Sequence, residues 1–198
     1  LISSKDYLIA QLTGECVGDV AACSTAGAMN IRNGQWDAEL CEAAGIDMAM
    51  LPHLHNPQDN IGTVTESAAQ RAGFSAGTAV YAGIGDAGAT TLASGVSRPG
   101  QYNINIGTSG WIATVSPEPF TDKPGAANLA FGVEEGFVNA VPFLNAGDVH
   151  KWVTGVFADG DYAEAHRLIE TSEPGSNGVM CLPYLVGERF PVMNPNIR

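Results

Sequence analysis

The alternation of apolar and polar positions divides this chain into short helices and strands. Ser4 followed by KDYLIAQLTG has helical spacing, which predicts an amphipathic helix with Tyr7, Leu8 and Leu12 on one face and Gly14 as its end. Further helical patterns cover residues 20–29, 37–44, the segment that starts at Thr65, 145–157 and 162–171.

Apolar runs bounded by turn-forming residues predict the strands. Residues 79–82 and 178–182 have the composition of short buried strands. Two alternating segments within 100–116 flank a glycine-rich loop and predict a hairpin, and segments 126–131 and 136–141 predict a second strand pair. The turn Arg98-Pro99-Gly100 separates a helical half from a hairpin-rich half, so it is the best candidate for a domain boundary.

The most informative segment is TAVYAGIGDAGATTLASG, residues 78–95. A short apolar strand breaks at Gly-Ile-Gly, presents Asp86 and continues into a helix of small residues. Glycine permits close approaches that a Cβ would block. A carboxylate at the end of a strand, in the crevice where open α/β sheets bind ligands, is suited to proton abstraction.

Two other interpretations of this segment compete with a catalytic role. Aspartate is a good N-cap, so Asp86 could simply start the helix. Gly83, Gly85 and Gly88 also fit the dinucleotide pattern GxGxxG. The dinucleotide interpretation is disfavoured because no acidic residue stands about 20 positions further on to hold a ribose.

The loop from Gly107 to Gly110 contains only glycine, threonine and serine. Such a loop offers backbone N–H groups and two hydroxyls to a small anion without steric obstruction. An ordinary hairpin turn would have the same composition. Taken together, a base at Asp86 and a phosphate cradle some twenty residues later predict the two halves of a phosphoryl-transfer site.

Composition narrows the classes of partner. With 198 residues, 45% of them hydrophobic and 15% charged, the chain is globular. Its net charge of −12 argues against a nucleic acid or an anionic membrane as partner, and no apolar run is long enough to cross a bilayer.

The four cysteines lack CxxC spacing, which predicts reduced core thiols in a cytoplasmic protein. The pair His53 and His55 lacks a third ligand, so no metal site is predicted.

Seven segments, in family order and covering nearly the whole chain, resemble the FGGY family of carbohydrate kinases in its xylulokinase and gluconokinase branch. They are KDYLIAQLTGE at 5–15, the region 19–24, IRNGQWDAEL at 31–40, GIDMAMLPHL at 45–54, AGIGDAGATTLASGV at 82–96, NIGTSG at 105–110 and LPYLVGERFPVMNPNIR at 182–198.

This resemblance implies an α/β fold of the actin-like ATPase (ribonuclease H-like) type, with sugar and Mg-ATP meeting between two domains. The chain would be a central fragment: residues 1–97 form the C-terminal part of the sugar-binding domain, and residues 98–198 form the N-terminal part of the ATP-binding domain. The phosphate loop at the start of such kinases and their adenosine pocket would lie outside it. We therefore expect the 198-residue chain to be inactive alone.

The resemblance also implies roles for individual residues. Asp86 would be the general base and would contact the sugar together with Gly85, while Gly107, Thr108 and Ser109 would approach the phosphate of ATP, with Mg²⁺ as its companion. The expected reaction is phosphorylation of a ketopentose such as D-xylulose. A kinase for gluconate or another polyol, and a non-catalytic sugar-binding or assembly fragment, remain alternatives, and the sequence leaves homodimer formation open.

Some positions depart from the family pattern. Ile84 replaces a glycine of the usual GGGD motif, and Phe190 replaces the threonine or alanine of GERTP or GERAP. These departures leave the identity of the sugar open. Glu188 and Arg189 of the same motif suggest an ion pair, with simple loop stabilisation as the alternative.

Overall fold

The computed structural model describes residues 2–198. Its helices are α1 (Ser4–Thr13), α2 (Val20–Cys23), α3 (Ala38–Ala43), α4 (Glu66–Ala72), α5 (Asp86–Ala93), α6 (Gly147–Phe157) and α7 (Tyr162–Glu170), with short 3₁₀ turns at Ser24–Ala26, Met48–Met50 and Ser176–Gly178. Its strands are β1 (Val17–Asp19), β2 (Met29–Asn30), β3 (Gln35–Trp36), β4 (His53–His55), β5 (Asn60–Thr63), β6 (Ala79–Tyr81), β7 (Tyr102–Ile106), β8 (Gly110–Ser116), β9 (Ala127–Ala130) and β10 (Phe137–Phe143).

The strands form one four-stranded sheet and three pairs. The larger sheet has the order β7-β8-β10-β9, so both predicted strand pairs are confirmed as neighbours. Strands β1 and β4 pair in parallel, while β2 pairs antiparallel with β3 and β5 antiparallel with β6. Asp86 thus follows an antiparallel strand rather than one of an open parallel sheet, so the crevice rule does not explain its position.

The chain divides into two compact units. The first contains residues 1–103, 114–120 and 128–139, and the second contains residues 104–113, 121–127 and 140–198. The domain boundary between residues 97 and 98 that the family resemblance implies stays a prediction.

Apolar side chains of the first unit form its core. One cluster joins α1, β1, α4 and β6 through five buried residues: Ile9, Val17, Val64, Ala68 and Val80. A second cluster contains Val20, Met29 and Ala130. Each strand contributes few residues, so these elements are stable through tertiary packing rather than through their length.

Local capping explains where the helices begin and end. Asp37, Thr65 and Asp161 each accept hydrogen bonds from backbone N–H groups of the first helical turn that follows them. Helix α1 starts with a capping box between Ser3 and Asp6, and it ends, as predicted, at Gly14, whose φ of 87° favours glycine.

Two predictions about burial were wrong. The buried residues of α1 are Asp6 and Ile9, whereas Tyr7 and Leu8, placed on the predicted apolar face, are exposed. Segment 178–182, predicted as a buried strand, has no strand geometry, and its Val179, Met180 and Leu182 are exposed. Apolar composition alone does not distinguish a core strand from an exposed apolar segment.

The prediction that the four cysteines are reduced thiols in the core was correct only in part. All four cysteines are free, but Cys16 and Cys181 are exposed, Cys23 is half-buried and only Cys41 is buried. No helix within residues 2–198 is both long enough and apolar enough to span a bilayer.

Candidate functional site

Asp86 is the first residue of α5 and its carboxylate is exposed. Its Oδ1 accepts a hydrogen bond from the backbone N–H of Ala87 at 2.8 Å. The cap position itself belongs to Gly85, so the alternative that Asp86 is the N-cap was wrong, although the side chain still satisfies one donor of the first turn. Oδ2 has no hydrogen-bond partner among residues 2–198 and is open to a ligand.

A cavity of about 180 Å³ lies against this helix start. Gly85 and Asp86, both predicted to contact substrate, line it together, with Ser3, Ala21, Ala22, Thr25, Ala87, Gly88 and Leu129. The carboxylate and the two hydroxyl-bearing side chains contribute polar atoms to the lining, whereas the alanines and the leucine contribute apolar atoms. That mixture suits a small polyhydroxylated molecule.

The backbone before Asp86 depends on its glycines. Gly83 has a φ of 67°, which a residue with a Cβ rarely adopts. Gly85 packs against α2 so closely that an added Cβ would lie 3.0 Å from the Cβ and 3.1 Å from the Cα of Ala22. The position of Asp86 is therefore set by contact with α2.

A charge network with two buried carboxylates also anchors this turn. The ammonium of Lys5 lies 2.5 Å from Asp6 Oδ1 and 3.1 Å from Asp19 Oδ2, and it donates to the carbonyl of Ala82 at 2.7 Å. Asp6 is 1% exposed and Asp19 is 0% exposed. The lysine thus compensates two buried carboxylates and holds the residue that precedes Gly83.

Asp19 connects this network to α2. Its Oδ1 accepts hydrogen bonds from the N–H groups of Ala21 and Ala22 at 3.0 and 2.9 Å. Ala22 is the residue against which Gly85 packs. One continuous set of contacts therefore runs from Lys5 to the helix that carries Asp86.

The network also perturbs two pKa values. Burial lowers the pKa of Lys5, but hydrogen bonding to Asp6 and the charge of Asp19 outweigh that effect, so the pKa lies above its ordinary value. Burial, together with the negative charges of Asp6 and Asp19, raises the pKa of the Cys23 thiol to about 11. The sequence patterns did not indicate this cluster.

The loop Gly107–Ser109 joins β7 to β8 and is exposed, as the hairpin prediction required. Its turn is closed by the N–H of Gly107, which donates to the carbonyl of Ser109 at 2.8 Å. The backbone N–H groups and hydroxyls of Thr108 and Ser109 have no acceptor in the part of the chain that the structure describes. The three predicted phosphate-binding residues therefore form one exposed turn, with two backbone donors and two hydroxyls available.

The start of α6 supports this loop. The N–H groups of Gly147 and Asp148 donate to the carbonyls of Gly107 and Thr108 at 2.8 and 3.3 Å. A Cβ on Gly147 would lie 2.5 Å from the Gly107 oxygen, so only glycine allows this approach. The loop carbonyls thus take the place of a side-chain cap, which α6 lacks.

Glu188 does not form the predicted ion pair. The carboxylate is 4% exposed and makes no ion pair with Arg189 among the described residues. It instead accepts hydrogen bonds from the backbone N–H of Leu144 at 2.8 Å, from the N–H of Arg189 at 2.7 Å and from Asn145 Nδ2 at 2.9 Å. Burial raises the pKa of Glu188, but these donors together hold it below its ordinary value.

The described residues contain no cluster of three or more His, Cys, Asp and Glu side chains that could hold a metal ion. Of the predicted site residues, those with groups available to a ligand are Asp86 in the first unit and Thr108 and Ser109 in the second.

Solved structures of sugar kinases share this architecture. The xylulose kinase from Lactobacillus acidophilus is 28% identical with a TM-score of 0.89, and the gluconate kinase from the same organism is 27% identical with a TM-score of 0.90. Each match covers 100% of this chain and 40% of the solved chain. The predicted α/β fold of the actin-like ATPase type is confirmed.

The sequence comparisons find a similarity to the same class of proteins. Residues 1–93 match the model of the N-terminal domain of the FGGY family of carbohydrate kinases. The gluconokinase of Bacillus subtilis (strain 168) is 30% identical over 208 residues, which cover 100% of this chain and 40% of that protein. The predicted resemblance to the FGGY carbohydrate kinases is thereby confirmed, and the chain spans about 40% of the length of the curated relatives it matches.

Proposed function

We propose that this chain supplies the central part of an ATP-dependent kinase that phosphorylates a hydroxyl group of a sugar, with a ketopentose such as D-xylulose as substrate. The proposal is supported by the similarity of the whole chain to a gluconokinase and to a xylulose kinase, and of residues 1–93 to the N-terminal domain of the FGGY carbohydrate kinases. The single observation that carries it is the exposed carboxylate of Asp86, which lines a cavity and has one oxygen without a partner among residues 2–198.

In the proposed reaction, Asp86 accepts the proton of the attacking sugar hydroxyl. The bond from Ala87 N–H to Oδ1 fixes the orientation of the carboxylate and leaves Oδ2 to take the proton. Gly85 lines the same cavity, and because it has no side chain the backbone can pack against Ala22, which positions Asp86 for the sugar. General-base assistance of this kind typically contributes about 10²–10⁴-fold to the rate.

The loop Gly107–Ser109 would bind the transferred phosphoryl group of ATP. Its two unused backbone N–H groups and two hydroxyls suit the equatorial oxygens of that group, where charge accumulates in the transition state. Local donors of this kind are needed because the chain carries a net charge of −12. Mg²⁺ belongs to the proposal as the ion that accompanies ATP and neutralises phosphate charge.

Gluconate is the second candidate substrate. The Bacillus subtilis protein that is 30% identical to this chain is a gluconokinase, and a gluconate kinase has a TM-score of 0.90. A phosphorylation screen of the full-length protein against D-xylulose, D-ribulose, D-gluconate and glycerol decides between the candidates. Calorimetric binding of a sugar by a protein that never consumes ATP would favour the non-catalytic sugar-binding or assembly fragment instead.

The role of Asp86 is tested by Asp86→Asn in the full-length protein. Asparagine preserves the shape and the acceptor for Ala87 N–H, so folding should be retained while kcat falls about 10²–10⁴-fold. Asp159→Asn is the matched control, because Asp159 is exposed and has a φ of 48°, which asparagine tolerates. Turnover of Asp86→Asn close to that of the control would refute the assignment.

A further inference from the structure

Behind the loop Gly107–Ser109, two buried side chains join segments that are about 40 residues apart in sequence. Asn145 and Glu188 are 8% and 4% exposed, and Asn145 Nδ2 donates to Glu188 Oε2 at 2.9 Å. Neither residue can reach solvent freely, and both carry several hydrogen bonds. Buried polar groups with this many partners fix the geometry of the segments that supply them.

Asn145 uses both ends of its amide. Its Nδ2 also donates to the carbonyl of Gly187 at 2.6 Å, and its Oδ1 accepts from the N–H of Leu185 at 2.8 Å. Glu188 Oε1 accepts from the N–H of Leu144 at 2.8 Å. Residues 144 and 145 are therefore clamped to segment 185–188 through four hydrogen bonds.

Residues 144–146 connect β10 to α6, so the clamp determines where α6 begins. The first two N–H groups of α6 hold the carbonyls of Gly107 and Thr108. At the other end of the loop, Gly110 packs directly against the ring of Phe143, the last residue of β10. The loop is thus contacted by α6 at one end and by the last residue of β10 at the other, and the clamped residues 144 and 145 lie between these two elements.

We propose that Asn145 and Glu188 are positioning residues that hold the loop Gly107–Ser109 in the geometry required for phosphoryl transfer. They act through residues 144–148 and do not touch the transferred group themselves. This inference rests on the proposed function, because the loop is assigned there to phosphate. Errors of about 1 Å in the position of such groups can cost about 100-fold in rate.

The test compares Glu188→Gln and Asn145→Ala with Glu173→Gln in the full-length protein. Glutamine at 188 keeps the size of the side chain, but its amide N–H₂ faces an N–H group that donates a hydrogen bond to the Glu188 carboxylate in the wild type. Glu173 is an exposed glutamate of the same unit and serves as the matched control. We expect kcat to fall about 10- to 100-fold in both clamp variants, with KM for the sugar unchanged.

Hydrogen exchange provides a readout that does not depend on activity. In the clamp variants the amides of residues 144–150 should exchange about tenfold faster or more, since hydrogen bonds that hold residues 144 and 145, just before α6, are lost. The amides of 162–170 in α7 should keep their exchange rates, whereas a general loss of stability would accelerate both segments. The double variant should lose less than the product of the single losses, because both substitutions break the same hydrogen bond.

Unchanged kcat in both variants of an active kinase would overturn the inference, as would equal acceleration of exchange in α6 and α7. A wild-type protein that phosphorylates no sugar would instead refute the proposed function. In that case the exchange rates of residues 144–150 would still decide whether the clamp holds the loop support in place.

Discussion

Replacement of Lys5 by methionine should remove the cation that joins the buried carboxylates of Asp6 and Asp19 to the turn before Asp86. Methionine fills most of the volume of the lysine stem but removes the ammonium that lies 2.5 Å from Asp6 and 3.1 Å from Asp19. The carboxylates of Asp6 and Asp19 are 1% and 0% exposed, so both remain buried when their cation is removed. The carbonyl of Ala82 also loses its donor.

The expected loss of stability is large. Breaking a buried ion pair by removing one partner costs about 3–5 kcal/mol, because the remaining charge stays buried. Domains typically have an unfolding free energy of only about 5–15 kcal/mol. Lys5→Met should therefore lower the midpoint of urea unfolding strongly, and Lys5→Met combined with Asp6→Asn should recover part of the loss, because one buried negative charge is removed while asparagine still accepts from Ser3.

The control is Lys123→Met. Within residues 2–198 the ammonium of Lys123 forms an ion pair with its exposed neighbour Asp122 alone, so its replacement should leave the urea midpoint unchanged within error. Equal midpoints for Lys5→Met and Lys123→Met would show that the network does not stabilise the fold and would refute the reasoning.

The same network predicts a pH dependence with a definite sign. The pKa of Lys5 is raised in the folded protein above its ordinary value of 10.5, so folding favours the protonated ammonium. Its contribution to stability is fully present below pH 10.5 and is lost as the pH rises through the folded pKa. Wild-type protein should therefore lose stability in this alkaline range more steeply than Lys5→Met does.

Two further predictions concern single atoms. In Gly147→Ala the new Cβ would lie 2.5 Å from the oxygen of Gly107, so we expect a destabilisation of about 1–3 kcal/mol in thermal unfolding and a lower kcat. The control is Gly155→Ala in the same helix, which has open space around it and should be slightly stabilising. The Cys23 thiol, with a pKa of about 11, should be alkylated by iodoacetamide at pH 8 far more slowly than exposed Cys16, as mass spectrometry of the two peptides can show. Comparable rates would contradict the burial and charge assigned to Cys23.

The elements that the sequence predicted best are those determined by neighbouring residues. Helix starts at Asp37 and Thr65 follow from a side chain and the N–H groups two or three positions later. The hairpin around Gly107–Ser109 depends in the same way on local turn chemistry. For these segments the deciding interactions lie within one window of sequence.

The features that the sequence did not reveal depend on distant partners. The pattern of α1 predicted Tyr7 and Leu8 on its apolar face, but Asp6 is buried instead, because Lys5 neutralises the Asp6 carboxylate. Lys5 also pairs with Asp19 and donates a hydrogen bond to the carbonyl of Ala82, which is 77 positions from Lys5 in sequence. Similarly, the Glu188 carboxylate accepts a hydrogen bond from the Asn145 side chain, and among residues 2–198 it forms no ion pair with the guanidinium of Arg189. Periodicity records which residues are apolar, but it does not record which polar residues are compensated after folding.

The two buried carboxylate clusters have the same relation to the loops they support. The network of Lys5 holds the turn before Asp86, and the clamp of Glu188 holds the start of α6 behind Gly107–Ser109. An apolar core could stabilise either region at least as well, since buried ionic groups often cost as much in desolvation as they return. What directional hydrogen bonds add is a unique position for the backbone atoms they bind. In the proposed kinase reaction, transfer of the phosphoryl group depends mainly on the placement of the base and of the phosphate-binding donors, so this positional constraint would give the two clusters a role that stability alone does not supply.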